Sequence, residues 1–263
     1  MSGRKLSALA VGLLAIVAAC GGIRPLDPSL GARVITQEPP NDTYGLTVSN
    51  DVITATAPGD NTGNNIRVVF WRNADAASTN QESCMTWNAP DQVQQPGIAL
   101  RAHDFNGGTR VISITKNVWL GGYWIFNVHV MDTTNPDVPL LWIAGRDLWG
   151  LRNGPEPTDL KPYPWRGCGR VVGTTVSLKV WPTAEAEPAW DDPNYGYSVT
   201  LPDGWDAPGE PGAYIGHLFP GGSATFSELV VTDLGGISTS SAAALGLEPT
   251  TEPLAPTHIP LGP

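Results

Sequence analysis

The chain has 263 residues, with 30 Gly, 25 Pro and 10 Trp but only 15% charged residues. This length allows one large domain or two small ones, and many turn formers and aromatic residues beside few helix formers favour an all-β fold. The formal net charge of −10, with few and scattered basic residues, argues against nucleic-acid binding and against membrane binding through charge.

The first 19 residues predict a secretory signal peptide. Arg4 and Lys5 precede the apolar run Leu6–Ala19, which is too short to span a membrane comfortably. The small residues before Cys20 resemble a bacterial lipobox, with Val17 where leucine is more usual. This resemblance implies cleavage before Cys20, its lipidation, and an extracytoplasmic protein that the lipid anchors to the membrane. The alternative is an ordinary signal peptide that happens to contain a cysteine.

Residues 20–40 are rich in Gly and Pro and predict a flexible tether, with one short strand-like run near its end. Residues 41–233 predict one β-domain, because apolar residues alternate or run together in short segments separated by turn formers. About twelve strands are expected, the number that suits a two-sheet jelly roll. The strand-like runs are Ala32–Thr36, Tyr44–Val48, Val52–Thr56, Ile66–Trp71, Glu82–Trp87, Gly97–His103, Arg110–Lys116, Tyr123–Met131, Leu140–Ala144, Val176–Trp181, Ala213–Leu218 and Ser223–Val231.

Breaks in the strand pattern predict turns, a bulge and a tail. Ser49–Asp51 and Asn106–Gly108 predict hairpin turns. In the last run the apolar face switches between Phe226 and Leu229, which predicts a bulge. Residues 234–263 contain no Phe, Trp or Tyr and predict a disordered tail, since they cannot bury enough apolar surface to offset their chain entropy.

The two cysteines of the predicted domain are Cys84 and Cys168. In an exported chain they are expected to form a disulfide, because the compartment is oxidising. Two buried free thiols are the alternative. A metal site on these cysteines is disfavoured, because no histidine lies at ligand spacing from either one.

Four segments resemble the end of a concanavalin-like, LamG-type jelly roll. They are Lys179–Trp181, Glu187–Trp190, Gly212–Gly216 and Phe226–Val231. In that superfamily a strand with a Lys-x-Trp run precedes a loop, and the domain closes with a Gly-rich strand and a Phe-x-x-Leu-x-Val strand. The resemblance implies an antiparallel two-sheet jelly-roll sandwich. Such domains bind sugars, bind proteins or hydrolyse glycans, so the fold alone does not choose a function.

Catalytic patterns are scarce in the sequence. The Glu-x-Asp-x-x-Glu motif that glucanases of this superfamily carry on one strand is absent. Glu185 and Glu187 lie between Pro182 and Pro188, which predicts a solvated acidic loop instead. Neither a nucleophile elbow nor a phosphate loop occurs, and each histidine stands alone. These observations favour a binding protein over a glycoside hydrolase or lyase.

Calcium is the one cofactor that the sequence suggests. Asp132, Asn135 and Asp137 place three oxygen-bearing side chains in one short loop, as calcium sites do, and the segment Asp191–Asn194 offers a second set. The same patterns are typical of ordinary Asx turns, and both interpretations stay open.

Aromatic residues give the strongest indication of a ligand, because flat rings suit the apolar faces of sugars. Those in loop-like segments, the candidate ligand-binding residues, are Trp149, Tyr163, Trp165, Trp190, Tyr195, Tyr197 and Trp205. Those expected in the core are Trp71, Trp119, Trp124 and Trp142. Packing of long loops over the sheet is the alternative for the first group. We therefore expect a lipid-anchored monomer that binds carbohydrate or a surface partner; a structural envelope lipoprotein without a small ligand is a further alternative.

Overall fold

The computed structural model describes residues 26–37, 42–59, 65–88, 94–135 and 140–235. The predicted signal peptide, Cys20 and most of the predicted tail lie outside these ranges. No helix in the described part of the chain is long and apolar enough to cross a membrane; the short helix Trp149–Leu151 is a single 3-10 turn. The strands are β1 (Leu30–Thr36), β2 (Gly45–Ser49), β3 (Val52–Thr56), β4 (Arg67–Arg72), β5 (Gln81–Trp87), β6 (Gln95–Phe105), β7 (Gly108–Lys116), β8 (Ile125–Asp132), β9 (Leu140–Asp147), β10 (Trp165–Val172), β11 (Thr175–Pro182), β12 (Gly196–Thr200), β13 (Glu210–Gly216) and β14 (Ser223–Asp233).

The strands form two seven-stranded sheets. The front sheet has the order β1-β4-β13-β6-β7-β8-β9, and the back sheet has the order β12-β11-β10-β5-β14-β3-β2. All pairings between these strands are antiparallel. The predicted fold class, an all-β antiparallel two-sheet jelly-roll sandwich, is confirmed.

The core lies between the sheets, and alternation along each strand builds it. On β11, Val176, Leu178 and Val180 are fully buried in the core cluster. Phe126 and Val128, on β8 of the other sheet, are fully buried in the same cluster. Burying each side chain of this size contributes about 1.5–3 kcal/mol. The period of two in the sequence therefore decides which face of each strand turns inward.

The predicted turns and the predicted bulge are confirmed. Asn50 and Asp51 have φ values of 49° and 62°, and Asn106 and Gly107 have φ values of 47° and 82°. Two successive residues with positive φ form the type I′ turn that matches the twist of a hairpin. In β14 the register with β5 shifts between Ser227 and Val230, where the sequence predicted the change of face.

Two parts of the sandwich differ from the prediction. The sandwich begins before residue 41, because β1 lies within the predicted tether and pairs with β4 at the edge of the front sheet. β10 and β12 come from segments that the sequence did not predict as strands, since Pro and Gly on both sides suggested loops. The prediction that Trp119 belongs to the core is wrong, because this residue lies in the β7–β8 loop and is 38% exposed. Trp142 is on β9 but only half-buried.

Candidate ligand-binding face

Two of the predicted ligand-binding aromatics belong to the core, and for them the prediction is wrong. Trp165 is fully buried, and its ring stacks on Tyr163 with 4.1 Å between centroids. Tyr197 is buried and donates a hydrogen bond to the carbonyl of Phe126 across the sandwich at 2.7 Å. The Pro- and Gly-rich surroundings suggested loops, but both residues lie on strands, where their large rings bury apolar area in the core.

The loop between β11 and β12 packs over the back sheet. The centroid of the Trp190 ring lies 3.9 Å from Arg170 Cζ and 4.6 Å from Lys179 Nζ. The ring also packs against the two cysteines. The Tyr195 hydroxyl donates to Glu185 at 2.5 Å, and the Lys161 ammonium contacts the same carboxylate at 2.7 Å. These bonds lower the pKa of Glu185. The loop is therefore fixed by its own aromatic and charged contacts.

Each of the two carboxylates in this loop is paired with a lysine. Glu185 is held by Lys161, as above, and Glu187 accepts a hydrogen bond from Lys179 at 2.5 Å. Each carboxylate is therefore compensated by its own lysine, as expected of structural ion pairs.

Trp149 is the most exposed of the predicted aromatics, with 52% of its surface accessible. Its ring lies 5.9 Å from that of Trp124, and the Arg152 guanidinium stacks near both rings. Trp205 is half-buried, and its carbonyl accepts a hydrogen bond from Arg101 at 2.6 Å. The structure thus distributes the predicted set over separate places rather than bringing it together in one site.

The predicted disulfide is confirmed. Cys84 on β5 and Cys168 on β10 lie directly opposite each other in the back sheet, and their sulfurs are 2.04 Å apart. With Glu82 they form the metal-compatible group of the described residues, but sulfurs joined in a disulfide are not thiolate ligands.

The loop after β8 is an Asx turn in the part that the structure describes. The Asp132 carboxylate accepts bonds from Arg110 at 2.7 Å and from the hydroxyl and amide of Thr134 at 2.5 and 2.9 Å. Asp137, the third residue of the predicted calcium set, lies outside the described residues. In the second set Asp192 accepts a bond from the Asn194 amide at 2.9 Å, again an Asx turn.

The front sheet has an outward face that the sequence did not reveal as a site. Its side chains alternate with those of the core: Val69, Ala99 and Tyr214 form a buried cluster separate from the one between the sheets. We call this surface the concave face. Its residues are Arg67, Val69 and Trp71 on β4, Gly212, Tyr214 and Gly216 on β13, Gly97 and Ala99 on β6, Ser113 and Thr115 on β7, Asn127 and His129 on β8, and Trp142 on β9.

Two observations indicate that this face is concave. The Cα atoms of β4 and β6 come within 8 Å of one another although β13 lies between them, and those of β13 and β7 do so across β6. Such strands would be about 9.6 Å apart in a flat sheet. Tyr214, Ser113 and Thr115 point away from the core yet are fully buried, as expected where the sheet curls toward its outer side.

The floor of the concave face carries polar atoms that are buried without a hydrogen-bond partner among the described residues. They are Ser113 Oγ, Thr115 Oγ1 and His129 Nδ1. Ser113 lies directly opposite His129 in the β7–β8 pairing, and Thr115 lies opposite Asn127, so the three atoms belong to one patch. Each buried polar group without a partner costs about 1–3 kcal/mol. A hydrogen-bond partner from outside the chain, whether water or a ligand, would remove this cost.

His129 is neutral at physiological pH. Burial first and the charge of Arg67 second lower its pKa to about 4. Burial raises the pKa of Tyr214 to about 12, and its hydroxyl donates to Gln95 Oε1 at 2.6 Å. A neutral imidazole and a neutral phenol are both able to donate and accept hydrogen bonds, as sugar hydroxyls require.

Aromatic rings stand beside the polar floor, and glycines leave room between them. Trp142 lies opposite His129 on β9 and donates from Nε1 to Asn127 Oδ1 at 3.2 Å. A Cβ on Gly97 would lie 3.1 Å from the Tyr214 ring and 2.2 Å from a backbone carbonyl, and a Cβ on Gly145 would contact Asn127. The absence of a side chain at Gly97 and Gly145 therefore lets the Tyr214 ring and the Asn127 amide pack directly against the sheet backbone.

No protein-family model matches this chain, and no curated protein sequence matches it. Solved structures with a similar fold include the carbohydrate-binding module CBM66 from Bacillus subtilis, with 8% identity and a TM-score of 0.48 over 80% of this chain and 99% of that one. The exoplasmic/lumenal domain of VIP36 bound to Ca²⁺ and Man3GlcNAc has 10% identity and a TM-score of 0.46, covering 84% of this chain and 90% of that one. A Bacillus subtilis protein of unknown function with a galectin-like fold has 11% identity and a TM-score of 0.45, covering 76% and 88%. At these identities the similarity concerns the fold.

Proposed function

We propose that the protein binds carbohydrate, without catalysis, on the concave face of the front sheet. The observation that carries this proposal is the patch formed by Ser113 Oγ, Thr115 Oγ1 and His129 Nδ1, three buried polar atoms without partners in the described structure. A sugar presents several hydroxyl groups at close spacing, and each one donates and accepts. Such a ligand pairs with all three atoms at once and removes their desolvation cost.

A neighbouring ring completes the chemistry of a sugar site. Trp142, half-buried on β9, borders the patch, and the face of its ring suits the apolar C–H surface of a pyranose ring. Asn127, opposite Thr115, adds an amide between the hydroxyls and Trp142. Polar groups fix the orientation of the ligand, and apolar rings supply the buried area.

The test is a comparison of binding and stability in the same variants. Ser113→Ala and Thr115→Val delete the unpaired oxygens. The unliganded protein is expected to be as stable as the wild type or more stable, because a buried unpartnered group is removed. Binding to neutral and acidic oligosaccharides on a glycan array, followed by calorimetry, is expected to weaken about tenfold per deleted bond. Trp149→Ala, away from this face, is the matched control and is expected to bind as the wild type does.

A result with no glycan bound by the wild type would contradict the proposal. So would glycan binding that both Ser113→Ala and Thr115→Val leave unchanged. Loss of stability without loss of binding would mean that the two hydroxyls serve the fold alone.

We propose further that the protein is exported, anchored through a lipid on Cys20, and monomeric outside the cytoplasm. The lipobox resemblance supports this location, and a disulfide between Cys84 and Cys168 suits an oxidising compartment. In cells fed labelled palmitate, Cys20→Ser is expected to lose the label and leave the membrane fraction, whereas Cys84→Ser keeps the label. Unchanged labelling of Cys20→Ser would contradict the anchor.

A further inference from the structure

Arg67 lies on the concave face, and none of its described hydrogen-bond partners is a carboxylate. Its Nη1 donates to Thr36 Oγ1 at 3.2 Å and to the carbonyl and side-chain oxygens of Asn65, and its Nη2 donates to His217 Nε2 at 3.1 Å. Within the described ranges no carboxylate lies at salt-bridge distance from the guanidinium. The half-buried Arg67 therefore keeps an uncompensated positive charge.

Two other arginines of the front sheet have acidic partners. Arg33, at the edge of the front sheet, pairs with Asp104, and Arg110 pairs with Asp132 at 2.7 Å. In a chain with a net charge of −10, acidic partners are plentiful. Arg67 differs from these two arginines, because it has no acidic partner in the described part of the chain.

The positive charge of Arg67 acts on residues of the concave face. Its charge is the second cause of the lowered pKa of His129, four strands away in the sheet order, and it also acts on Tyr214. The close approach of β4 to β6 and of β13 to β7 shows that the sheet curls, which shortens the distance between these groups across the concave face. A negative group bound between Arg67 and His129 would lie in positive potential, shielded from water by the buried floor.

We propose that the concave face selects glycans that contain uronic acid, and that Arg67 binds the sugar carboxylate while the Ser113–Thr115–His129 patch binds its hydroxyls. This inference rests on the carbohydrate-binding function proposed above and names the class of ligand. A planar carboxylate matches the planar fork of one guanidinium. A densely sulfated or phosphorylated polymer fits less well, because one arginine on an acidic protein compensates only sparse negative charge.

The test uses polyuronates and their carboxyl-reduced forms, which keep the sugar backbone and lose the charge. The probes are polyglucuronate, polygalacturonate and polymannuronate, each paired with its reduced polymer. The wild type is expected to bind at least one acid form about tenfold or more tightly than the matching reduced form. Raising NaCl from about 0.01 M to about 1 M is expected to remove that preference, because salt screens charge.

Arg67→Gln is expected to bind the acid and reduced forms equally, at the affinity that the wild type has for the reduced form. Arg33→Gln removes an arginine from the same sheet that already has Asp104 as its partner, and it is expected to keep the preference. The salt titration of the wild type tests the same point if Arg67→Gln does not fold.

Equal binding of acid and reduced forms by the wild type would overturn the inference and leave the proposed function intact. A preference that survives in Arg67→Gln would overturn it as well. If the wild type bound no acidic and no neutral glycan, both proposals would fail together.

Discussion

His129 makes the stability of the sandwich depend on pH in a way that can be calculated. Its pKa is about 4 in the folded protein and about 6.5 in an unfolded chain. The unfolded state therefore binds a proton at a higher pH than the folded state does. His129 stabilises the fold fully above about pH 7, and this contribution is lost as the pH falls from 6.5 toward 4.

One pKa unit corresponds to about 1.36 kcal/mol, so at about pH 5 the full shift would remove about 2 kcal/mol. Because the His129 ring is partly exposed, water weakens the effect, and we expect a loss of about 1–2 kcal/mol. His129→Gln has no proton to bind in this range. Its free energy of unfolding is expected to fall less than that of the wild type, by this amount, between about pH 7.5 and about pH 5.

The measurement is urea denaturation of both proteins across this pH range, followed by tryptophan fluorescence. Burial also raises the pKa values of Asp75 and Glu82, which adds stability as the pH falls, but both proteins contain these residues and the difference cancels them. Asn127→Ala, on the same face and without a titrating group, is expected to follow the wild-type pH profile. Parallel profiles for His129→Gln and the wild type would refute the reasoning.

Three further predictions concern the scaffold. Arg101→Met is expected to cost about 3–5 kcal/mol of unfolding free energy in denaturant titrations, because the buried guanidinium donates to three loop carbonyls at 2.6–2.7 Å; a cost below about 1 kcal/mol would contradict this. Replacing Cys84 and Cys168 together by alanine is expected to lower stability by about 4–5 kcal/mol, since the bridge closes a loop of 84 residues, and an unchanged denaturation midpoint would refute it. Trp165→Ala is expected to cost about 3–5 kcal/mol and Trp149→Ala less than about 0.5 kcal/mol, and similar melting temperatures for the two would contradict their assignment to core and surface.

Local chemistry explains what the sequence predicted correctly. Alternating apolar residues mark β8 and β11 because the side chains of a strand point to opposite faces, whatever the rest of the chain does. The turn at Asn50–Asp51 depends on two residues that tolerate positive φ. The bulge in β14 follows from an apolar face that changes within one strand. Each of these signals is complete within about ten residues.

The aromatic residues show where local reasoning stops. Trp149 and Trp165 stand in similar Pro- and Gly-rich surroundings, yet one is half exposed and the other is fully buried. What separates them is the pairing of β10 with β5 and β11, which places Trp165 in the interior. The residues around Trp165 do not indicate which strands β10 will pair with. The prediction that Trp165 binds a ligand was therefore wrong.

By itself, the sequence determined that this chain forms antiparallel strands and where many of them turn, because these outcomes depend on side-chain period and on backbone freedom at turns. Only the tertiary structure decided which outward residues meet. Arg67, Ser113, His129 and Tyr214 come from four strands separated by up to 147 positions, and none carries a motif. The order and curvature of the front sheet bring them onto one face, and those are properties of long-range pairing that no single segment encodes.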